Sequence, residues 1–168
     1  MSVGPIHHAV LSVADLDRSV AFYRDLLGFR VSVSGSFGDD EHVRSLRLPA
    51  GTGGRSASLH PKGAPAGIVE LVEWEVPGGV PSTGPKRPGD VPGVSMLAFE
   101  VPEDELAPLR ERLLAADVPV YTEPVAHEIA GYGRISWFAC EDPDGMVLEM
   151  LALPSADEAR RARADAKA

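Results

Sequence analysis

The chain lacks most features that mark secreted, membrane-spanning or disulfide-stabilised proteins. Its 168 residues include one cysteine, Cys140, which excludes an internal disulfide and any zinc cluster built on several cysteines. No apolar run approaches the roughly 20 residues that span a bilayer, and residues 1–5 carry no basic and apolar leader. We therefore expect a soluble, cytoplasmic protein with no membrane partner.

Basic residues are also scarce. The chain has 16 Lys and Arg against 25 Asp and Glu, a formal net charge of −9, so nucleic acid would be repelled and is not expected as a partner. The composition, 44% hydrophobic and 24% charged, is that of an ordinary globular protein. We predict a single domain over residues 1–152, followed by a solvated tail, 153–168, that forms a helix or frays.

An internal repeat organises the chain. The first half opens with an apolar segment, after which Asp15 is a natural N-cap and Gly28 ends a predicted helix. In the second half, Leu106, Leu109 and Leu113 mark the corresponding helix. The strands predicted in the first half are 8–13, 29–34, 43–48, 57–60 and 68–74. Those predicted in the second half are 96–101, 118–122, 133–140 and 146–151.

Each half is thus interpreted as a βαβββ module, at about 5–76 and about 94–152. The segment 77–93 is too rich in Pro and Gly for a helix or a central strand, and it is either a connector or a lid. Neither module covers both faces of its own sheet. We therefore predict an α+β fold in which the two modules pair into an open, barrel-like curved sheet with a central cleft.

The ends of the repeat carry the most specific motifs. At the end of the second half, a turn precedes an apolar strand: Asp142-Pro143-Asp144-Gly145, then Val147-Leu148-Glu149-Met150-Leu151. At the start of the first half, the sequence reads His8-Ala9-Val10-Leu11-Ser12-Val13-Ala14-Asp15-Leu16-Asp17-Arg18-Ser19, followed by Phe22-Tyr23 and Leu27-Gly28-Phe29. The turn by itself is structural. Together these segments resemble the two ends of a vicinal oxygen chelate protein, the superfamily of glyoxalases, bleomycin-resistance proteins and related dioxygenases. The resemblance covers roughly residues 5–152.

Two glutamates occupy unusual positions. Glu149 and Glu70 each lie inside an apolar strand at the end of a module, where a carboxylate is costly unless it is paired, hydrogen-bonded or bound to a cation. His8, at the start of the first strand, offers a neutral nitrogen ligand. If these three side chains converge, they suit a divalent metal with open positions for substrate. The alternatives are a satisfied histidine and, for the two glutamates, strand-face hydrogen bonds or ion pairs, with Arg47 as one candidate partner.

The second half departs from the pattern at Met96. In glyoxalase-like and epimerase-like members of the superfamily the matching position is a ligand histidine, and a thioether is a poor ligand for hard divalent ions. This departure argues against extradiol dioxygenase and fosfomycin-resistance thiol transferase activities, and it leaves open a protein that binds no metal. As a structural residue, Met96 would be a core methionine.

Other residues are candidates for the border of a cleft. His127 is a possible replacement ligand or acid–base group, or else an exposed loop histidine, and Tyr132 follows it closely. Trp74 and Trp137 are candidates for an apolar pocket wall. By strand alternation His7 points away from His8, which excludes it from the predicted site.

The resemblance implies an enzyme, namely a divalent-metal-dependent isomerase, epimerase or lyase that acts on a small carbonyl or hydroxy compound through an enolate-type intermediate. His8, Glu70 and Glu149 would hold the metal, which could be Mn, Ni, Zn, Co, Fe or Mg, and Glu70 or Glu149 would act as the base. The alternative is a metal-free protein that sequesters a small molecule, as bleomycin-resistance proteins do. The resemblance also implies a homodimer.

Overall fold

The structure, a computed structural model, describes residues 6–38, 43, 45–64, 66–79 and 93–166. The chain separates into two compact units, Met1–Gly84 and Pro85–Ala168. Their boundary falls within the predicted segment 77–93, of which residues 80–92 lie outside the described part of the chain. A single domain over residues 1–152 and the role of the segment as connector or lid stay predictions.

The first unit contains four strands and one long helical segment. In chain order they are β1 (His8–Ser12), α1 (Leu16–Ala21) with a π-helical continuation (Phe22–Leu26), β2 (Arg30–Phe37), β3 (Gly53–His60) and β4 (Ile68–Glu75). The sheet has the order β1-β4-β3-β2. β1 pairs with β4 in parallel, and the other two pairs of neighbours are antiparallel.

The predicted start and end of the first helix are confirmed. Asp15 is the N-cap, and its Oδ1 accepts a hydrogen bond from the backbone N–H of Arg18 at 3.0 Å. After the π-helical continuation, Gly28 takes a φ of 78°, which lets the chain turn into β2. The segment contacts β3 and β4, and its Tyr23 is fully buried along with Leu71 of β4. One face of the sheet is therefore covered by the helix.

The second unit repeats this plan. In chain order it contains β5 (Met96–Glu100), α2 (Glu103–Ala115), β6 (Val125–Ile129), β7 (Gly133–Glu141), β8 (Val147–Ala152) and α3 (Ala156–Asp165). The sheet order is β5-β8-β7-β6, with β5 and β8 parallel. α2 packs on β7 and β8 and buries the three predicted leucines, Leu106, Leu109 and Leu113. The α+β fold with two βαβββ modules is confirmed. Within the described residues, no helix is long and apolar enough to cross a bilayer.

Two predicted strands are wrong. In the segment 43–48, Val43 is helical and accepts a hydrogen bond from the N–H of Leu46, while Arg47 has a φ of 59°; a left-handed residue cannot continue a strand. In the segment 118–122, only Val120 makes a bridge, to Cys140, and the strand that pairs with β7 is β6. Pro119 has no N–H to donate to a ladder, which favours a short bridge over a strand.

The tail is more ordered than its composition suggests. Ser155 caps α3 through a capping box with Glu158, so the helical alternative is correct. The helix is not fully solvated, because Ala159 is 8% exposed and α3 contacts β7. Ala159 is the one buried residue of the helix, and a single alanine does not produce an apolar stripe in the sequence.

Candidate functional site

In each unit, one face of the sheet carries the predicted site residues. Side chains alternate along a strand, and in β1 and β4 the buried Leu11 and Leu71 belong to the face that α1 covers. His8, Val10 and Glu70 therefore lie on the opposite face. Val10 is 50% exposed, so this face is accessible around the predicted ligands. We call it the first open face, meaning the face of β1 and β4 that holds His8 and Glu70.

His8 and Glu70 form an ion pair on the first open face. Because Val10 lies opposite Glu70 and His8 opposite Ile68 in the parallel register, the histidine is a diagonal neighbour of the carboxylate. His8 Nε2 lies 3.5 Å from Glu70 Oε2, and the two side chains are 40% and 31% exposed. The structure thus brings together two of the three predicted ligands. Both keep access to solvent.

The second unit places Glu149 and Met96 in equivalent positions. Glu149 lies opposite Ala98, the third residue of β5, as Glu70 lies opposite the third residue of β1. Met96 lies opposite Val147, as His8 lies opposite Ile68. The two registers therefore match Glu149 with Glu70 and Met96 with His8. We call the face of β5 and β8 that holds Met96 and Glu149 the second open face.

The prediction of a core methionine is wrong. Met96 is 41% exposed, because it lies on the second open face and not on the side that α2 covers. The adjacent Leu148 and Met150, which alternate with Glu149 along β8, are 0% and 1% exposed. Positions along β8 thus alternate between buried and accessible, and Met96 of β5 lies on the accessible side, with Glu149.

Glu149 differs from Glu70 in its partners. Glu149 is half-buried, and among the described residues it makes no ion pair and no side-chain hydrogen bond. Of the predicted alternative, strand-face hydrogen bonds or ion pairs, Glu70 makes one ion pair, with His8. A pair with Arg47 is not observed for either glutamate in the described part of the chain. A half-buried carboxylate of this kind is available to an external cation or hydrogen-bond donor.

Two of the remaining candidates lie on the open faces, and the third, Tyr132, lies in a turn. Trp74 lies on the first, where its Nε1–H donates to Ser12 Oγ at 3.0 Å and its ring meets Phe37 edge to face. His127 is exposed in the middle of β6, so its assignment to a loop is wrong, and the registers of β6, β7 and β8 place it on the second open face. Tyr132 lies in the turn before β7 and is 39% exposed.

Trp137 and Cys140 lie on opposite faces of β7. Trp137 shares the second open face with Glu149 and is half-buried. Cys140 is fully buried, and burial, together with the nearby Asp142 and Glu141, raises the pKa of its thiol to about 12. The thiol therefore stays protonated and is no nucleophile.

His7 lies against His8 and does not point away from it as expected. Its Nδ1 lies 2.9 Å from His8 Nδ1, and the two rings meet at 89° with centroids 5.2 Å apart. Strand alternation does not apply to this pair, because β1 begins at His8. The signal in the sequence was the adjacency of two histidines at the edge of a strand.

In the described part of the chain, the structure does not group three potential metal ligands together. Among residues 6–38, 43, 45–64, 66–79 and 93–166, no group of three or more His, Cys, Asp or Glu side chains is arranged to hold a metal. The pair His8–Glu70 is observed within the first unit. Its convergence with Glu149 stays a prediction.

Comparison with known proteins decides the family. The family model of the Glyoxalase/Bleomycin resistance protein/Dioxygenase superfamily matches residues 5–150. The chain belongs to this superfamily. The resemblance inferred from the motifs at the two ends of the repeat is thereby confirmed for nearly the whole predicted range. A comparison of the chain with curated proteins gave no match.

Solved structures of the glyoxalase superfamily share the fold. A glyoxalase family protein from Bacillus cereus matches with a TM-score of 0.76 at 13% identity, over 91% of this chain and 96% of that one. A glyoxylase/bleomycin resistance protein/dioxygenase domain from Frankia sp. EAN1pec matches with 0.61 at 25% identity, over 91% and 100%. The fosfomycin resistance protein FosX from Listeria monocytogenes matches with 0.59 at 16% identity, over 94% and 99%.

Proposed function

We propose that this glyoxalase-superfamily protein is a divalent-metal-dependent isomerase, epimerase or lyase for a small carbonyl or hydroxy compound. The observation that supports the proposal most is the His8–Glu70 pair, 3.5 Å apart on an accessible sheet face, together with Glu149 at the equivalent register position of the second sheet. We expect a homodimer, as the family resemblance implies, and a cytoplasmic location, which the single cysteine favours.

The donor atoms fit a divalent ion. Imidazole nitrogen with carboxylate oxygen suits Zn, Fe, Ni, Co and Mn, and carboxylates also suit Mg. Two such donors, each about 2.0–2.2 Å from one ion, lie about 3.0–3.5 Å apart, and His8 Nε2 and Glu70 Oε2 are 3.5 Å apart. The pair therefore needs little rearrangement to become two ligands. Glu149 would be the third ligand.

The chemistry assigned to each residue follows from its charge and position. His8, Glu70 and Glu149 would hold the ion, which when bound would polarise two neighbouring oxygens of the substrate. Of these residues, Glu149 has no protein partner in the described part of the chain, so its carboxylate is the better candidate to loosen from the ion and act as the base. It would remove a proton from the carbon beside the substrate oxygen and return it to another position or face. Glu70 is the alternative base.

A second function is favoured by Met96. An accessible thioether at the position equivalent to His8 removes a nitrogen donor and leaves an apolar group on the second open face. The half-buried Trp137 lies on the same face, toward the opposite end of β8 from Met96, and such a face suits a metal-free protein that binds and sequesters a small apolar molecule. In that case Glu70 and Glu149 would bind polar groups of the ligand directly.

Metal analysis of the purified protein distinguishes the two functions. Full-length protein isolated without chelator is expected to carry about one divalent ion per chain when three ligands bind it. Glu149→Ala should lower this content at least about tenfold, because removing one ligand of three weakens the site. Glu128→Ala is the matched control, since Glu128 is an exposed glutamate of β6.

A metal content near zero in the wild type, unchanged when the protein is incubated with Mn, Ni, Zn, Co, Fe or Mg and desalted, would contradict the enzymatic proposal. It would favour the sequestering protein. Equal metal content in the wild type and in Glu149→Ala would exclude Glu149 from the site.

A further inference from the structure

The contact between His7 and His8 has a chemical consequence for His8. An imidazole ring has two nitrogens, and when one of them binds a cation through its lone pair, the other carries the proton. In His8, Nε2 faces Glu70 and Nδ1 faces His7 Nδ1 at 2.9 Å. The nitrogen that faces the proposed metal position is thus the one remote from His7. The other nitrogen already has a hydrogen-bond partner.

His7 can serve His8 in both of its neutral forms. In the tautomer of His8 that carries its proton on Nε2, this N–H would face Glu70, and Nδ1 would accept a hydrogen bond from His7 Nδ1–H. With an ion on Nε2, His8 Nδ1–H donates to the lone pair of His7 Nδ1. A histidine nitrogen can donate or accept according to its tautomer, so the same 2.9 Å contact persists in either arrangement.

We propose that His7 is a positioning residue that orients the His8 ring and fixes its tautomer for cation binding through Nε2. This proposal rests on the metal-binding function proposed above. His7 itself touches neither ion nor substrate. Partners of ligand histidines generally contribute about 10–100-fold to metal affinity, because they fix the ring and raise its basicity.

The location of His7 supports a specific role for its side chain. Its ring is exposed and lies before β1, so it contributes neither to the core nor to the strand ladder. The rings are perpendicular, at 89°, so they do not stack, and the close contact between them is that of the two Nδ1 atoms. A change at His7 should therefore alter metal binding while leaving the fold intact.

Two nearly isosteric variants test the proposal. In His7→Asn the side-chain amide can accept or donate near the position of Nδ1, whereas His7→Leu has a similar shape and no polar atom. The dissociation constants of Zn²⁺ and of Mn²⁺ for the full chain are measured by isothermal titration, with the thermal unfolding of each variant recorded in parallel.

We expect His7→Leu to weaken binding of both ions by about 10–100-fold, His7→Asn to stay within about threefold of the wild type, and His8→Ala to abolish binding. Affinities of His7→Leu equal to the wild-type values would overturn the role of His7 and leave the metal proposal standing. Equal losses in both His7 variants would also overturn it, since the hydrogen bond would then be irrelevant. No binding by the wild type would overturn the metal proposal itself.

Discussion

A divalent ion at about 100 times its dissociation constant should raise the melting temperature of the wild-type chain by about 5–10 °C. Binding to the folded state alone contributes about 2.7 kcal/mol at that concentration, and 1 kcal/mol corresponds to about 2–4 °C for a chain of this size. In Glu149→Gln the shift should fall below about 2 °C, because the variant keeps the shape of the side chain and loses its charge. Thermal unfolding with and without the ion measures both values.

Two controls separate a ligand effect from a general effect of charge. Glu128→Gln removes the same charge from the exposed β6 and should keep the full shift. Chelator added to the loaded wild type should return it to the ion-free melting temperature. A full shift in Glu149→Gln would remove this residue from the site, and no shift with any of Mn, Ni, Zn, Co, Fe or Mg would refute the metal-dependent function.

Met96→His should tighten metal binding at least about tenfold, which corresponds to about 1.4 kcal/mol. The register places Met96 where β1 has His8, and the family resemblance implies a ligand histidine at this position. The substitution replaces a thioether by an imidazole, a much better ligand for divalent ions. Since Met96 is 41% exposed, the change should leave the core undisturbed.

The controls for this gain are Met96→Leu and Val94→His. Leucine keeps an apolar side chain without a donor and should bind ions as the wild type does. Val94 is 76% exposed and precedes β5, so a histidine there adds a donor outside the site. Tighter binding confined to Met96→His, measured by titration, is the expected result. A similar gain in Val94→His, or none in Met96→His, would show that Met96 does not face the ion.

The fold could be predicted because its signals are local and occur twice. Asp15 and Gly28 limit the first helix through their own backbone chemistry. The two apolar strands that carry Glu70 and Glu149 end their modules at matching places, and the registers of β4 and β8 confirm this match. A repeat with its ends in the same order predicts the same sheet order in both halves, which the structure shows.

The errors came from features that depend on tertiary contacts or on backbone conformation. The apolar pattern of 43–48 did not reveal the left-handed Arg47. The apolar character of Met96 suggested burial, whereas its exposure depends on which face of β5 is covered by α2. The expectation that His7 points away from His8 used an alternation rule that holds only inside a strand. Each of these outcomes is determined by where an element begins or what covers it.

The candidate site could be predicted only in its residue types. A carboxylate in an apolar strand indicates an unusual environment from sequence alone, and this identified Glu70 and Glu149. The His8–Glu70 contact requires the parallel register of β1 and β4, which are separated by more than fifty residues in the chain. No local pattern encodes such a register, so the pairing emerges only from the folded sheet.

The most direct test of the central claim is the anomalous diffraction of a crystal of the full chain grown with Zn²⁺ or Mn²⁺. We predict one anomalous peak per chain, about 2.0–2.2 Å from His8 Nε2 and from a carboxylate oxygen of both Glu70 and Glu149. A crystal without such a peak, or a peak at His8 and Glu70 with Glu149 turned away from it, would contradict the shared metal site.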